Sequence, residues 1–174
     1  MSTVNVDEYV GLSDSDESSC YGRMDKQVLT PLQLDEGQVL FLRSIEDVEL
    51  FDQTVEDRGG IDLQYLGIGL NGHIGFNEPG TPFGTMTHVV SIDTETRKDK
   101  ASHFGGIEKV PRQGMTMGLR SIMMARKIVL LATGKEKANV VKRALFGPIT
   151  EEVPASVLQL HPCLHVFVDP AALI

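Results

Sequence analysis

From about residue 62 onward, short apolar runs alternate with stretches of helical periodicity. The runs are LQYLGIGL (63–70), HVVSI (88–92), KIVLLAT (127–133) and LHVFV (164–168), of strand length and bounded by turn residues. Between the last two, KEKANVVKRALF (135–146) sets Ala138, Val141 and Leu145 at i, i+3 and i+7, with Ala144 on the same stripe. That spacing predicts an amphipathic helix lying on a sheet, ended by Gly147 and Pro148. Further helices are predicted at about 45–58, 94–104 and 118–126, and the Met-rich run GLRSIMMA in the last of these reads as core packing. Alternation of this kind predicts an α/β fold: an open, mostly parallel sheet flanked by helices. Residues 11–60 carry a weaker signal, and SDSDESS (13–19) has nothing apolar to bury, so it reads as a solvated loop. No repeat or linker divides the chain, and 174 residues suit a single domain, 1–174.

Charge and cysteine content narrow the function. Sixteen Lys and Arg against 24 Asp and Glu give a net charge of −8, which disfavours a nucleic acid or an anionic membrane as partner. Any anionic ligand must therefore be met by locally concentrated cations. Cys20 and Cys163 stand far apart with no CxxC pair, so neither a disulfide framework nor a thiolate metal site is expected, and a reducing cytoplasm is the expected setting. The opening MSTVNVDEYV has acids where a secretion signal has bases, and no window approaches the ~20 apolar residues of a membrane span.

The unusual segment is GIGLNGHIGFNEPG (67–80), with five glycines, two asparagines, a histidine, a glutamate and a proline. Gly67, Gly69 and Gly72 spell GxGxxG after an apolar run, and Asp93 follows at the distance of a ribose-binding acid. That motif needs a helix to start at once, however, and HIGFNEPGTPFG cannot propagate one. A metal site is also disfavoured. His73 and Glu78 are five apart in a loop, and His88, His103, His161 and His165 are scattered and read as surface or packing residues. What remains is an acid/base loop at the carboxyl end of a parallel strand, where open α/β sheets place their ligand crevice. There Asn71, His73 and Glu78 supply proton-handling groups within one turn of chain, and the competing reading is a glycine loop whose polar groups merely satisfy one another.

The residues LGIGLNGHIGFNEPGTPF closely resemble the signature of the glucosamine-6-phosphate deaminase family. The similarity continues in order through VNVDEYVGL (4–12), GGIDLQYLGIG (59–69), the VP of EKVP followed by MTMG (115–118), ATGKEKA (132–138) and LQLHP (158–162). The resemblance implies a Rossmann-like α/β fold and a cofactor-free enzyme of amino-sugar catabolism. Its substrate is a small sugar phosphate, glucosamine 6-phosphate, isomerised and deaminated to fructose 6-phosphate and ammonia, in a chain compatible with a homo-oligomer. It implies Asp7 as the base that removes the C2 proton. It implies His73 as the group that opens the sugar ring, with Glu78 and Asn71 orienting it, and Asn71 stands where many members have aspartate.

For the phosphate, the family uses a glycine-serine/threonine loop, an arginine on a lid segment and a lysine at the start of a late helix. Lys137 matches the lysine, Ser102 stands in the arginine's place, and no such loop occurs in 1–174. Arg97, Lys98 and Lys100 are the substitutes at hand. The chain starts at the VDEY strand, so the family's first strand-helix unit is expected to be lacking, which predicts exposed apolar surface. The competing functions are a weakly active or inactive relative serving as a binding or regulatory partner, and a sugar-phosphate lactonase of the same fold.

Overall fold

The computed structural model describes residues 1–173. Its strands are β1 (Thr3–Val4), β2 (Asp7–Tyr9), β3 (Val39–Leu40), β4 (Gln64–Leu66), β5 (His88–Ser91), β6 (Gln113–Thr116), β7 (Ile128–Ala132) and β8 (Leu164–Val168). The α-helices are α1 (Cys20–Met24), α2 (Val48–Asp57), α3 (Thr94–Phe104), α4 (Leu119–Met123) and α5 (Ala138–Phe146). β4, β7 and β8 form a parallel sheet in that order, and β1 pairs in parallel with β3. The alternating pattern thus gives the mostly parallel α/β architecture it predicts.

HVVSI is a strand, but it does not join the parallel sheet. β5 pairs antiparallel with β6, whose other neighbour, β2, is antiparallel as well. The hidden partner is QGMT, which has no apolar alternation to betray it. Its Gly114 leaves room for the Phe76 ring, since a Cβ there would lie 2.6 Å from that ring. Of LQYLGIGL only Gln64–Leu66 is strand, and the glycines that follow take the chain into a loop. The helix at 118–126 is confined to Leu119–Met123, where Leu119 and Ile122 are core but Met124 is 60% exposed.

Helix α5 buries Val140, Val141 and Ala144. Ala138 and Leu145, which the periodicity placed on the buried stripe, are only half-buried because the buried face is centred on Val140, Val141 and Ala144 and leaves them at its margin. Nine residues of helix are marginal alone, so burial of the two valines, at roughly 1.5–3 kcal/mol each, holds α5 in place. Helix α3 is different: only Thr96 is buried. It is held by Asp93, which accepts from Glu95 N at its start, by left-handed Gly105 at its end, and by Phe104 edge-on to Tyr9.

The core joins Leu66, Ile68, Ile74, Met115, Ile128 and Leu130. Leu66, Ile128 and Leu130 come from one face of the parallel sheet. On the other face Tyr65, Leu131 and Phe167 are 59%, 47% and 59% exposed. Parallel sheets are ordinarily covered on both faces; this one is bare on one side. In the tract 13–19 the residues are largely exposed as read, except Ser19, which is buried and caps α1 by accepting from Gly22 N.

Candidate active site

The loop after β4 turns back on itself without starting a helix, so the amide end that a dinucleotide pyrophosphate needs is not there. Gly69 N donates to His73 O (2.9 Å) and Gly72 N to Gly69 O (3.0 Å). Gly72 has φ +99° and packs under Val153; at Gly69 any Cβ would run into the His73 imidazole. The glycines are therefore needed for the path and for the histidine's place. Asn77, fully buried, fastens the loop by donating to Ile74 O (2.9 Å) and Met117 O (2.8 Å).

This path brings Asn71, His73 and Glu78 together. His73 Nδ1 lies 2.8 Å from Asn71 Oδ1, 3.3 Å from Thr96 Oγ1 and 3.5 Å from Glu78 Oε2. Oxygens surround Nδ1, so the proton of the neutral imidazole belongs there and Nε2 is left with a free lone pair. Asn71 Nδ2 donates to Glu78 Oε2 (2.8 Å), which fixes its amide with the oxygen toward His73. Asn71 thus links carboxylate to imidazole. Burial pushes the Glu78 carboxyl up, but bonds from His73, Asn71 and Thr96 and the histidine's charge outweigh it and hold it below its ordinary value.

Asp7 sits at the start of β2, opposite Thr116 of β6, whose hydroxyl accepts from Phe76 N in the loop (3.1 Å). β6 therefore ties the Asp7 strand to the His73 loop. Burial raises the Asp7 carboxyl above its ordinary value, against the Cys20 thiol's hydrogen bond and the attraction of Arg23, His73 and Lys100. Lys137, half-buried at the start of α5, donates to Ile68 O (2.8 Å) at the mouth of β4. Burial lowers its ammonium, with Lys100 adding repulsion and Asp99 attraction.

The other expected residues fall where read. His161 is buried against Ala125 O, His165 and His103 are exposed, and His88 is half-buried beside Met86 O. Ser102 is exposed on α3. Among the described residues no three or more His, Cys, Asp or Glu side chains are grouped to hold a metal. A cleft of about 390 Å³ lined by Val48, Asp52, Thr87 and Met117 lies apart from these groups, and its Asp52 is taken up by Thr87. Sequence reading missed Thr96, Asn77 and Cys20: each contacts the site through the fold, and none stands in a motif of chemical spacing.

A glycine-built loop that carries His73 and Glu78 at the mouth of a parallel strand, linked through β6 to the half-buried Asp7 carboxyl, defines an α/β protein with the groups that acid–base catalysis uses. Residues 4–166 match the family described as glucosamine-6-phosphate isomerases/6-phosphogluconolactonase. The glucosamine-6-phosphate deaminase of Bacillus pumilus is 45% identical over 175 residues, covering 98% of this chain and 73% of that protein. A solved monomeric glucosamine-6-phosphate deaminase superposes with a TM-score of 0.95 at 39% identity, over 98% of this chain and 73% of that one. The chain belongs to the glucosamine-6-phosphate deaminase family. A 6-phosphogluconolactonase of Thermotoga maritima shares the fold, with a TM-score of 0.73 at 19% identity over 96% of this chain and 72% of that one.

Proposed function

We propose that this chain, acting as one unit over residues 1–174, converts glucosamine 6-phosphate to fructose 6-phosphate and ammonia in the cytoplasm. The observation that carries the reading is the His73 imidazole, oriented through Nδ1 by Asn71 and Glu78 and in the field of the raised Asp7 carboxyl. With Nε2 free, His73 moves a proton to or from the ring oxygen and opens the sugar. Asp7 then takes the proton from C2 and returns it to C1, which leaves the amine-bearing C2 as a ketimine; water adds there, ammonia departs and the ketose remains. A carboxylate whose conjugate acid is raised is a stronger base than an ordinary one, which suits removal of a carbon-bound proton. Lys137 supplies positive charge for the phosphate. The acidic balance of the rest of the surface favours a small anionic substrate held by local cations over a nucleic acid. No helix among the described residues is long and apolar enough to cross a membrane.

The test is a coupled assay for ammonia and fructose 6-phosphate released from glucosamine 6-phosphate by the purified chain, with Asp7→Asn as control. Turnover that the control loses is the expected result. Folded protein without turnover, or turnover indifferent to Asp7, overturns the reading.

A further inference from the structure

We infer that Lys100, on the face of α3 turned toward the site, is the second cation of the phosphate subsite and acts together with Lys137. The inference rests on the proposed function for its substrate, but its geometry is independent of turnover. A phosphate monoester carries close to two negative charges, and one ammonium bonded to a backbone carbonyl does not neutralise it. The position matched to the family's arginine is Ser102, exposed and uncharged, so a cation offered by α3 has to come from another of its residues.

Three further cations lie on α3, and the structure separates them. Arg97 is used up: Nη2 donates to Ile107 O (2.8 Å) and Val110 O (3.1 Å), and Nε to Val110 O (3.3 Å), fastening the helix to the turn that follows it. Lys98 points to solvent, 58% exposed, and is paired with Glu95 at 2.7 Å. Lys100 comes one helical turn after Thr96, and residues at i and i+4 share a face. Thr96 is the residue whose hydroxyl reaches His73 Nδ1 (3.3 Å), so the face that meets the catalytic histidine next presents Lys100.

The Lys100 side chain is two-thirds covered, and its ammonium lies 2.9 Å from Asp99 Oδ2. Its charge reaches both Asp7 and Lys137, and the bond from Lys100, with attraction from Lys137 and His73, lowers the Asp99 carboxyl. Lys100 repels Lys137, and an anion in the field of both relieves that repulsion. Asp99 fills that part with one negative charge, and a phosphate dianion offers two, with more acceptor oxygens, so it draws both lysines from their present partners. Lysine offers a point charge without the fork of a guanidinium, so phosphate held this way is markedly salt-sensitive.

Inorganic phosphate is the probe, titrated by calorimetry into the intact chain and into Lys100→Met, Lys100→Arg and Lys98→Met, with circular dichroism as the check on folding. Loss of one charge-assisted contact is expected to weaken phosphate binding by about tenfold to a hundredfold in Lys100→Met. Lys100→Arg should stay within a few-fold of the parent, and Lys98→Met, which removes the same charge from the solvent side, should equal it. Should Lys100→Met not fold, Lys100→Gln serves the same comparison. Parent-like phosphate binding by the folded Met or Gln variant, or a parent chain that binds no phosphate, overturns the inference.

The deaminase assay separates this failure from that of the proposed function. A higher KM for glucosamine 6-phosphate with little change in kcat is expected in Lys100→Met. Lys100-dependent phosphate binding without turnover in the parent sustains the subsite and removes the deaminase reading. Turnover with KM and phosphate affinity both unmoved by Lys100→Met removes the subsite and keeps the deaminase.

Discussion

At the scale of single residues, two carboxyls of the site have been pushed in opposite directions. Glu78, bonded to His73 and Asn71, keeps its charge more firmly than an ordinary glutamate, whereas burial makes Asp7 reluctant to ionise. A pair separated in this way is what divided acid and base duties require. For Asp7 the consequence reaches stability. An acid raised in the folded state ionises first in the unfolded one, so stability falls as pH rises from the ordinary value of 3.8 through the raised one. Asp7→Asn is therefore expected to lose turnover by about 10²–10⁴-fold while melting at a higher temperature at neutral pH. The gain should vanish below the ordinary aspartate range, and a series of thermal melts against pH checks this. At Gly69, Ala meets the imidazole directly. Overpacking of this kind costs about 1–3 kcal/mol, and here the ring must give way, so Gly69→Ala should remove most turnover from a chain that still folds, read by the same coupled assay with circular dichroism.

Among the elements, α1 is a five-residue helix held by its neighbour's side chain as well as by its own cap, Ser19. Glu8, next to Asp7 and only 5% exposed, accepts from Tyr9 N (2.7 Å), Cys20 N (3.0 Å) and Tyr21 N (2.7 Å). This one carboxyl pins the start of α1 against β2 and so places Cys20 beside Asp7. Glu8→Ala orphans those amides and is expected to destabilise the fold by about 3 kcal/mol in urea unfolding, with a smaller loss for Glu8→Gln, whose amide oxygen still accepts. Nothing in VDEY or SSCY foretells that cap, because its partners lie 12 and 13 residues away. By contrast, α3 was legible to its end residues: Asp93 and Gly105 are local signals, a capping side chain and a left-handed stop.

Across the whole molecule, the open face of the parallel sheet stands out. Tyr65, Leu131 and Phe167 come from three adjacent strands, and the pairing sets Leu131 beside Phe167. Apolar surface of that kind binds environment-sensitive dyes and promotes association. Replacing the three by serine is expected to lower dye fluorescence and self-association without loss of secondary structure, measured by anilinonaphthalene sulfonate binding and analytical ultracentrifugation. Undiminished dye binding would place the apolar surface elsewhere.

The sequence by itself determined the parallel strands and flanking helices, since apolar runs and helical stripes record burial directly along the chain. It also determined the glycine loop and its polar trio Asn71, His73 and Glu78, because a histidine packed against the backbone leaves its requirement for Gly69 in the adjoining residues. Only the tertiary structure decided the antiparallel block of β2, β6 and β5, which rests on a pairing between residues over a hundred positions apart and on a glycine making room for Phe76. It decided too that Thr96 joins His73, that Arg97 is bonded to the turn after α3 and that Lys98 is paired with Glu95. Those choices depend on what each face of α3 meets. Periodicity can say that a helix has faces; only its neighbours give each face a use.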